Sequence, residues 1–196
     1  AGSLHFVGAA YLASAAATRV GAGLVTLALP RTLHPILASK LTETTFEPFD
    51  EASPGIIGKA APRFLHPLLE RYGYVLIGCG LGQDQATTSF ILSTLRLIQK
   101  DGTRPVVVDA DGLNALARQD KWWRMLPPRT VLTPHPGEMA RLLRLPVDEV
   151  LKDRLAITRK AAQEWQATVV LKGAHTIIAD PDGIITLSPF SNPALA

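Results

Sequence analysis

The chain has 196 residues, 47% apolar and 19% charged, which excludes a disordered polypeptide and allows one domain with a sizeable core. Its net charge is +3 with Lys and Arg scattered rather than blocked, so it carries no electrostatic footprint for nucleic acid, and a small anionic ligand is the milder inference. Cys79 is the lone cysteine, which excludes an internal disulfide framework and a multi-thiolate zinc site and suits a reducing, cytoplasmic compartment.

The most apolar stretch, residues 6–29, is interrupted by Arg19 and by Gly21-Ala22-Gly23. Neither half reaches the roughly 20 apolar residues of a membrane span. No basic region precedes it, as a secretory signal would require. Residues 7–19, dense in Ala, predict a core helix, because Ala gives up little side-chain entropy and lets neighbouring backbones approach. Residues 24–29 predict a first buried strand, 32–40 a short helix, and 42–49 a strand near a sheet edge. The Gly, Pro and Ala of residues 50–62 predict a loop. No composition shift marks a domain boundary, so residues 1–196 read as one domain.

Residues 62–71 predict a short helix and 74–77 a strand entering Gly78-Cys79-Gly80-Leu81-Gly82, with a helix over 85–100 behind it. Glycines at alternate positions let the backbone bend and approach a ligand facing a helix amino end. They serve equally well as a purely structural turn. The loop lacks the spacing of a dinucleotide fingerprint and the terminal Lys-Ser/Thr of a P-loop.

Two short apolar runs follow, Val106-Val107-Val108 and Val131-Leu132, and each stops at a polar cluster. β-branched runs without polar alternation predict strands buried on both faces, as in a parallel sheet. Ligands of such sheets bind outside the carboxyl ends of the strands, which places Asp109, Asp111, Asn114, His135 and Glu138 on one rim. Residues 148–166 predict one amphipathic helix, 168–171 another buried strand, and 177–187 a hairpin turning at Asp180-Pro181-Asp182-Gly183. The repeated alternation of strand and helix predicts an α/β fold, a mainly parallel sheet with helices on both faces.

Several rim residues admit more than one role. Asp109 and Asp111 can position a hydroxyl, hold a magnesium ion through water, or cap the helix that begins near Gly112. His135 sits between two prolines that fix the local backbone, and Glu138 falls in the first helical turn, where it opposes the dipole. Lys172 ends a strand ahead of Gly173-Ala174, so its ammonium can turn over the sheet edge toward a phosphate, with Thr176 and the intervening N–H groups completing an anion cradle. The remaining histidines, His5, His34, His66 and His175, lack metal-ligand spacing, and no serine lies in a nucleophile elbow.

Taken together, Gly2-Ser3, Gly8-Ala9-Ala10, Gly21 to Val25, Gly78 to Gly82, Asp109 to Asn114, Thr133 to Leu142, Lys172 to Thr176 and Asn192-Pro193 resemble, in order, the motifs of the ADP- or ATP-dependent NAD(P)H-hydrate dehydratases. That family is a branch of the ribokinase-like fold. The resemblance implies that a nucleotide phosphorylates the hydroxyl of the S form of hydrated NADH or NADPH, and that phosphate is then eliminated. Ala9, Gly80, Gly82, Asp109, Asn114 and His135 would contact the hydrated dinucleotide. Lys172, Gly173, Ala174, His175 and Thr176 would bind the phosphates of ADP or ATP, with Mg2+ accompanying the nucleotide. The family's general base is an Asp in a Gly-Thr-Gly-Asp motif. This chain ends at Ala196, before that motif, and Ser188 to Ser191 depart from the Thr-Gly usually found there. The resemblance therefore implies a dehydratase domain truncated ahead of its catalytic carboxylate. Members of that family often assemble as tetramers, and in many relatives an NAD(P)H-hydrate epimerase domain accompanies this one.

Two other readings compete. One is a ribokinase-like kinase of a small alcohol, such as a thiazole or pyrimidine alcohol. The other is a non-catalytic fragment that keeps ADP or dinucleotide affinity.

Overall fold

The computed structural model describes residues 1–58 and 61–191. Helix α1 (Val7–Arg19) leads into strand β1 (Thr26–Pro30), a 3-10 turn over Arg31–Leu33, helix α2 (His34–Ala38) and strand β2 (Thr45–Phe49). β1 and β2 pair in parallel as a separate two-stranded sheet, from Thr26 opposite Thr45 to Pro30 opposite Phe49. Their own small core gathers Ala10, Leu27, Leu29, Leu33, Leu37 and Leu41. The predicted core helix is instead mostly half-buried. Only Ala10 and Ser14 of α1 are buried, and Leu12 is 67% exposed. An Ala-rich helix has little apolar area to hide, so α1 uses its small side chains for close approach rather than for core volume.

The segment predicted as a loop contains a small antiparallel hairpin, β3 (Glu51–Ser53) with β4 (Ile56–Ile57), turning through Gly55 at φ +75°. Strands this short leave no periodic signal to read. Helix α3 (Pro62–Leu69) and strand β5 (Val75–Ile77) then enter the main sheet. Helix α4 (Gln85–Asp101) begins at Asp84, whose carboxylate accepts from the Ala86 N–H at 2.9 Å, and stops at left-handed Gly102.

After α4 come strand β6 (Val106–Val108), helix α5 (Asp111–Ala117), strand β7 (Thr130–Leu132) and helix α6 (Pro136–Leu143). The single helix predicted over 148–166 is two, α7 (Val147–Lys152) and α8 (Arg154–Trp165). Asp153 breaks the run at φ −145°, ψ 76°, and its carboxylate caps α8 by accepting from Ala156 N–H at 3.0 Å. The chain closes with strands β8 (Thr168–Leu171), β9 (Ile177–Ala179) and β10 (Ile185–Leu187), as the sequence predicts. Asn192 and Pro193 lie outside the described residues.

The main sheet has the order β10-β9-β8-β7-β6-β5. β5 to β8 are parallel, and β9 and β10 antiparallel to their neighbours. Because the parallel strands add one after another in one direction, right-handed crossovers return their helices to the same face. That face is sealed. Val106, Val108, Leu132, Val169 and Leu171 are inaccessible and join Ile91, Leu116, Met139 and Ala162 of the helices in one core. On the alternate face Val107, Val131 and Val170 are only half-buried, and Leu76 and Ile178 are exposed. No helix among the described residues is long and apolar enough to cross a membrane.

Candidate functional site

The rim at the carboxyl ends of β5 to β8 is assembled by hydrogen bonds that continue the sheet beyond its strands. Asp109 N–H donates to Ile77 O at 3.1 Å, Thr133 N–H to Val108 O at 3.2 Å, and Lys172 N–H to Pro134 O at 2.8 Å. Each bond ties the first residues of one loop to its neighbour, so Asp109, the His135 loop and Lys172 arrive side by side. The glycine loop completes the row. A Cβ on Gly78 would lie 1.9 Å from Asp109 O, and one on Gly80 would lie 2.6 Å from Ala9 Cβ. Gly78 is needed for the approach of two strands, and Gly80 for the approach of α1.

At the centre, Lys172 Nζ donates to Asp109 Oδ1 at 2.8 Å and stands 3.8 Å from Glu138 Oε2. Sequence reasoning sends this ammonium toward a phosphate. In the structure two carboxylates, the opposite charges nearest to it, hold it at the rim. Glu138 is 5% exposed. Its Oε2 accepts from His135 N–H at 2.8 Å, while His135 Nδ1 accepts from Gly137 N–H at 3.0 Å. This is a capping box at the start of α6 in which histidine takes the usual Ser/Thr place. In the neutral ring an accepting Nδ1 leaves the proton on Nε2.

Neither Asp109 nor Asp111 caps α5. The cap position is Ala110, at φ 49° and with no side-chain bond. Asp111 Oδ2 accepts from Gly82 N–H at 2.8 Å, locking the end of the glycine loop. Asn114 Oδ1 accepts from Arg141 Nε at 2.9 Å, and Asn114 Nδ2 donates to Asp111 Oδ1 at 3.4 Å. Cys79 Sγ lies 3.9 Å from Asp109 Oδ2. Burial, followed by that carboxylate's charge, pushes its thiol up from the ordinary value.

Thus Ala9, Gly80, Gly82, Asp109, Asn114 and His135 share the rim with Lys172, while the 173–176 loop continues from it. Thr176 Oγ1 donates to Gly173 O at 3.1 Å, and His175, at φ 53°, donates its N–H to Phe190 O at 3.3 Å. Sequence reasoning missed Arg141 and Arg154. Arg154 reaches the loop from the first turn of α8, with Nη1 donating to Ala174 O at 2.7 Å. The only signal was its place directly after a capping Asp. A cavity of about 570 Å3 lies elsewhere, among Trp123, Trp165, Leu143, Arg144 and Lys160 at the far ends of α5, α6 and α8. Its Arg144 is already paired with Asp120 at 2.7 Å.

The mainly parallel sheet with its packed helices is a ribokinase-like α/β fold. A ribokinase-like superfamily protein from Enterococcus faecalis superposes with a TM-score of 0.79 over 98% of this chain and 62% of its own, at 23% identity, which is a likeness of fold. The family described as NAD(P)H-hydrate dehydratase matches residues 1–196, and the chain belongs to it.

The bifunctional NAD(P)H-hydrate repair enzyme Nnr of Moorella thermoacetica is 46% identical over 195 residues, covering 100% of this chain and 36% of its own length. The ADP/ATP-dependent NAD(P)H-hydrate dehydratase from Bacillus subtilis, co-crystallized with ATP/Mg2+ and soaked with CoA, superposes with a TM-score of 0.74 at 31% identity, over 99% of this chain and 65% of that one. The chain therefore spans about a third of the curated relative and just under two thirds of the solved one.

Proposed function

We propose that residues 1–196 form a dehydratase domain that takes part in the nucleotide-dependent dehydration of the S hydrates of NADH and NADPH, restoring the reduced cofactors. The carrying observation is the rim itself, where Lys172 bridges Asp109 and Glu138 between the glycine loop and the 173–176 loop. In this reading Ala9, Gly80, Gly82, Asp109, Asn114 and His135 receive the hydrated dinucleotide, and Lys172 to Thr176 receive the phosphates of ADP or ATP. Phosphoryl transfer depends chiefly on positioning and charge stabilisation, which a lysine and a loop of free amides supply.

No His, Cys, Asp and Glu side chains among the described residues converge in the threes that would cage a metal. In this reading Mg2+ would arrive with the nucleotide, since Mg2+ keeps phosphate and water oxygens and needs few carboxylates. Bound there it would offset phosphate charge, with the half-buried Asp109 as a carboxylate that would hold it. No rim carboxylate is assigned as general base. Asp109 is ion-paired, and Glu138 is buried as a cap. The resemblance puts that base on the Asp of the family's Gly-Thr-Gly-Asp motif.

The test is an assay of the full-length polypeptide with hydrated NADH, Mg2+ and either ADP or ATP, following the return of reduced-nicotinamide absorbance. Recovery that requires the nucleotide supports the reading. Accumulation of a stable phosphorylated alcohol replaces it with the kinase reading. Calorimetric binding of ADP and NADPH without turnover replaces it with the binding-module reading.

A further inference from the structure

We propose that Arg154 is a positioning residue whose guanidinium clamps the carbonyls of the 171–174 segment, so that the loop's amides and Lys172 are presented together to the phosphates of a bound nucleotide. The inference rests on the assignment of Lys172 to Thr176 as the nucleotide-phosphate loop.

Arg154 opens α8, and its fork meets three main-chain oxygens of the loop. Nη1 donates to Ala174 O at 2.7 Å, and Nη2 to Lys172 O at 3.4 Å and Leu171 O at 3.5 Å. Gly173 O is taken by Thr176 Oγ1 at 3.1 Å. Every carbonyl from Leu171 to Ala174 thus has a side-chain donor. In a planar trans peptide the N–H points opposite to the preceding C=O. Arg154 on the Lys172 carbonyl therefore aims the Gly173 N–H the other way, and Thr176 on the Gly173 carbonyl does the same for the Ala174 N–H. Among the described residues those two amides donate to no main-chain acceptor. They form, beside the Lys172 ammonium, the kind of concave donor set that receives anions.

Two further observations show that this geometry is specific. Gly173 sits at φ +134°, and a Cβ there would lie 3.2 Å from Arg154 Nη2, so the guanidinium occupies the space that a side chain would need. Arg154 Nε is buried without a hydrogen-bond partner. A buried donor left unpaired costs free energy, and here the cost accompanies three carbonyl contacts made by the other nitrogens. A lysine cannot reproduce this, because one ammonium on a flexible stem lacks the planar fork.

The experiment compares wild type, Arg154→Ala, Arg154→Gln and Arg154→Lys, with Lys172→Ala as reference. Backbone amide order parameters of Gly173, Ala174 and His175 are measured without ligand, and ADP-Mg2+ and NADPH affinities by calorimetry. The clamp predicts that loop order falls from the rigid value of ~0.85 to below ~0.6 in the Ala and Gln variants. It predicts ADP binding weaker by about tenfold or more with NADPH binding unchanged, and no restoration by Lys. Variants that keep loop order and ADP affinity overturn it, as does an equal loss for both ligands. A loop that loosens as expected in a protein whose wild type takes no ADP, or whose ADP affinity ignores Lys172→Ala, overturns the nucleotide assignment and with it the inference. The order parameters distinguish that outcome from failure of the clamp.

Discussion

Lys172 Nζ and Asp109 Oδ1 meet at 2.8 Å although 63 residues separate them in the chain. On the proposed assignment, which gives Asp109 to the dinucleotide and Lys172 to the nucleotide, the pair joins the two halves of the site. An ammonium already held by a carboxylate meets a phosphate only by sharing or leaving that partner. On that assignment, binding at one half would be coupled to charge at the other.

Replacing Lys172 by Ala should cost ADP binding ~2 kcal/mol, about thirtyfold, the scale of a charged hydrogen bond, and dinucleotide binding far less. Asp109→Asn removes the competing charge and should leave the binding of Mg2+-free ADP equal or tighter. Calorimetric titration of both variants with ADP and NADPH checks this. Equal losses for the two ligands in Lys172→Ala would refute the assignment.

Gly78→Ala and Gly8→Ala should move stability in opposite directions. At Gly78, φ is +121° and the added Cβ meets Asp109 backbone at 1.9 Å and Gly112 N at 2.7 Å. A loss of ~3 kcal/mol or more, or failure to fold, is expected. At Gly8, within α1, nothing lies within 4 Å. Alanine there should stabilise by roughly 0.5–1 kcal/mol. Urea unfolding of the two variants measures both.

His135 combines two roles that substitution can separate. Ala removes the acceptor for Gly137 N–H and should cost ~1 kcal/mol. Asn, a strong capping residue, should restore most of that stability. If the ring also contacts the dinucleotide, His135→Asn will still bind NADPH more weakly than wild type. Full recovery of binding along with stability would reduce His135 to a cap.

Cys79 should titrate late. Burial and the Asp109 charge hold its thiol above the ordinary value, so the folded protein keeps the proton to higher pH than the unfolded chain does. At neutral pH both states are protonated and the group contributes nothing. As pH rises through the unfolded value of about 8.5, the unfolded state binds fewer protons and stability falls until the folded thiol also ionises. The difference in unfolding free energy between wild type and Cys79→Ala, followed from pH 7 upward, should therefore shift against wild type on this alkaline limb. A flat difference contradicts it.

Val106 to Val108, Val131-Leu132 and Thr168 to Leu171 identified themselves as strands because uninterrupted β-branched runs have few other uses, and the polar residues after them marked a rim. The incomplete burial of α1 was less legible, since an Ala-rich run looks apolar whether or not anything covers it. The hairpin near Gly55 was too short to leave a pattern, and the break at Asp153 was hidden by helical spacing on both sides of it.

By itself the sequence determined which local segments become strand, helix or glycine turn, and hence which loops share the carboxyl ends of one parallel sheet. Those outcomes follow from side-chain branching, periodicity and backbone freedom, all of which act over a few residues. The tertiary structure alone decided the partners. It gave Lys172 to Asp109 and Glu138, Asp111 to Gly82, and Arg154 to the carbonyls of Leu171, Lys172 and Ala174. Such pairings depend on strand order and register, which bring together groups tens of residues apart, and electrostatic attraction acts on them only once the backbone has set the distance.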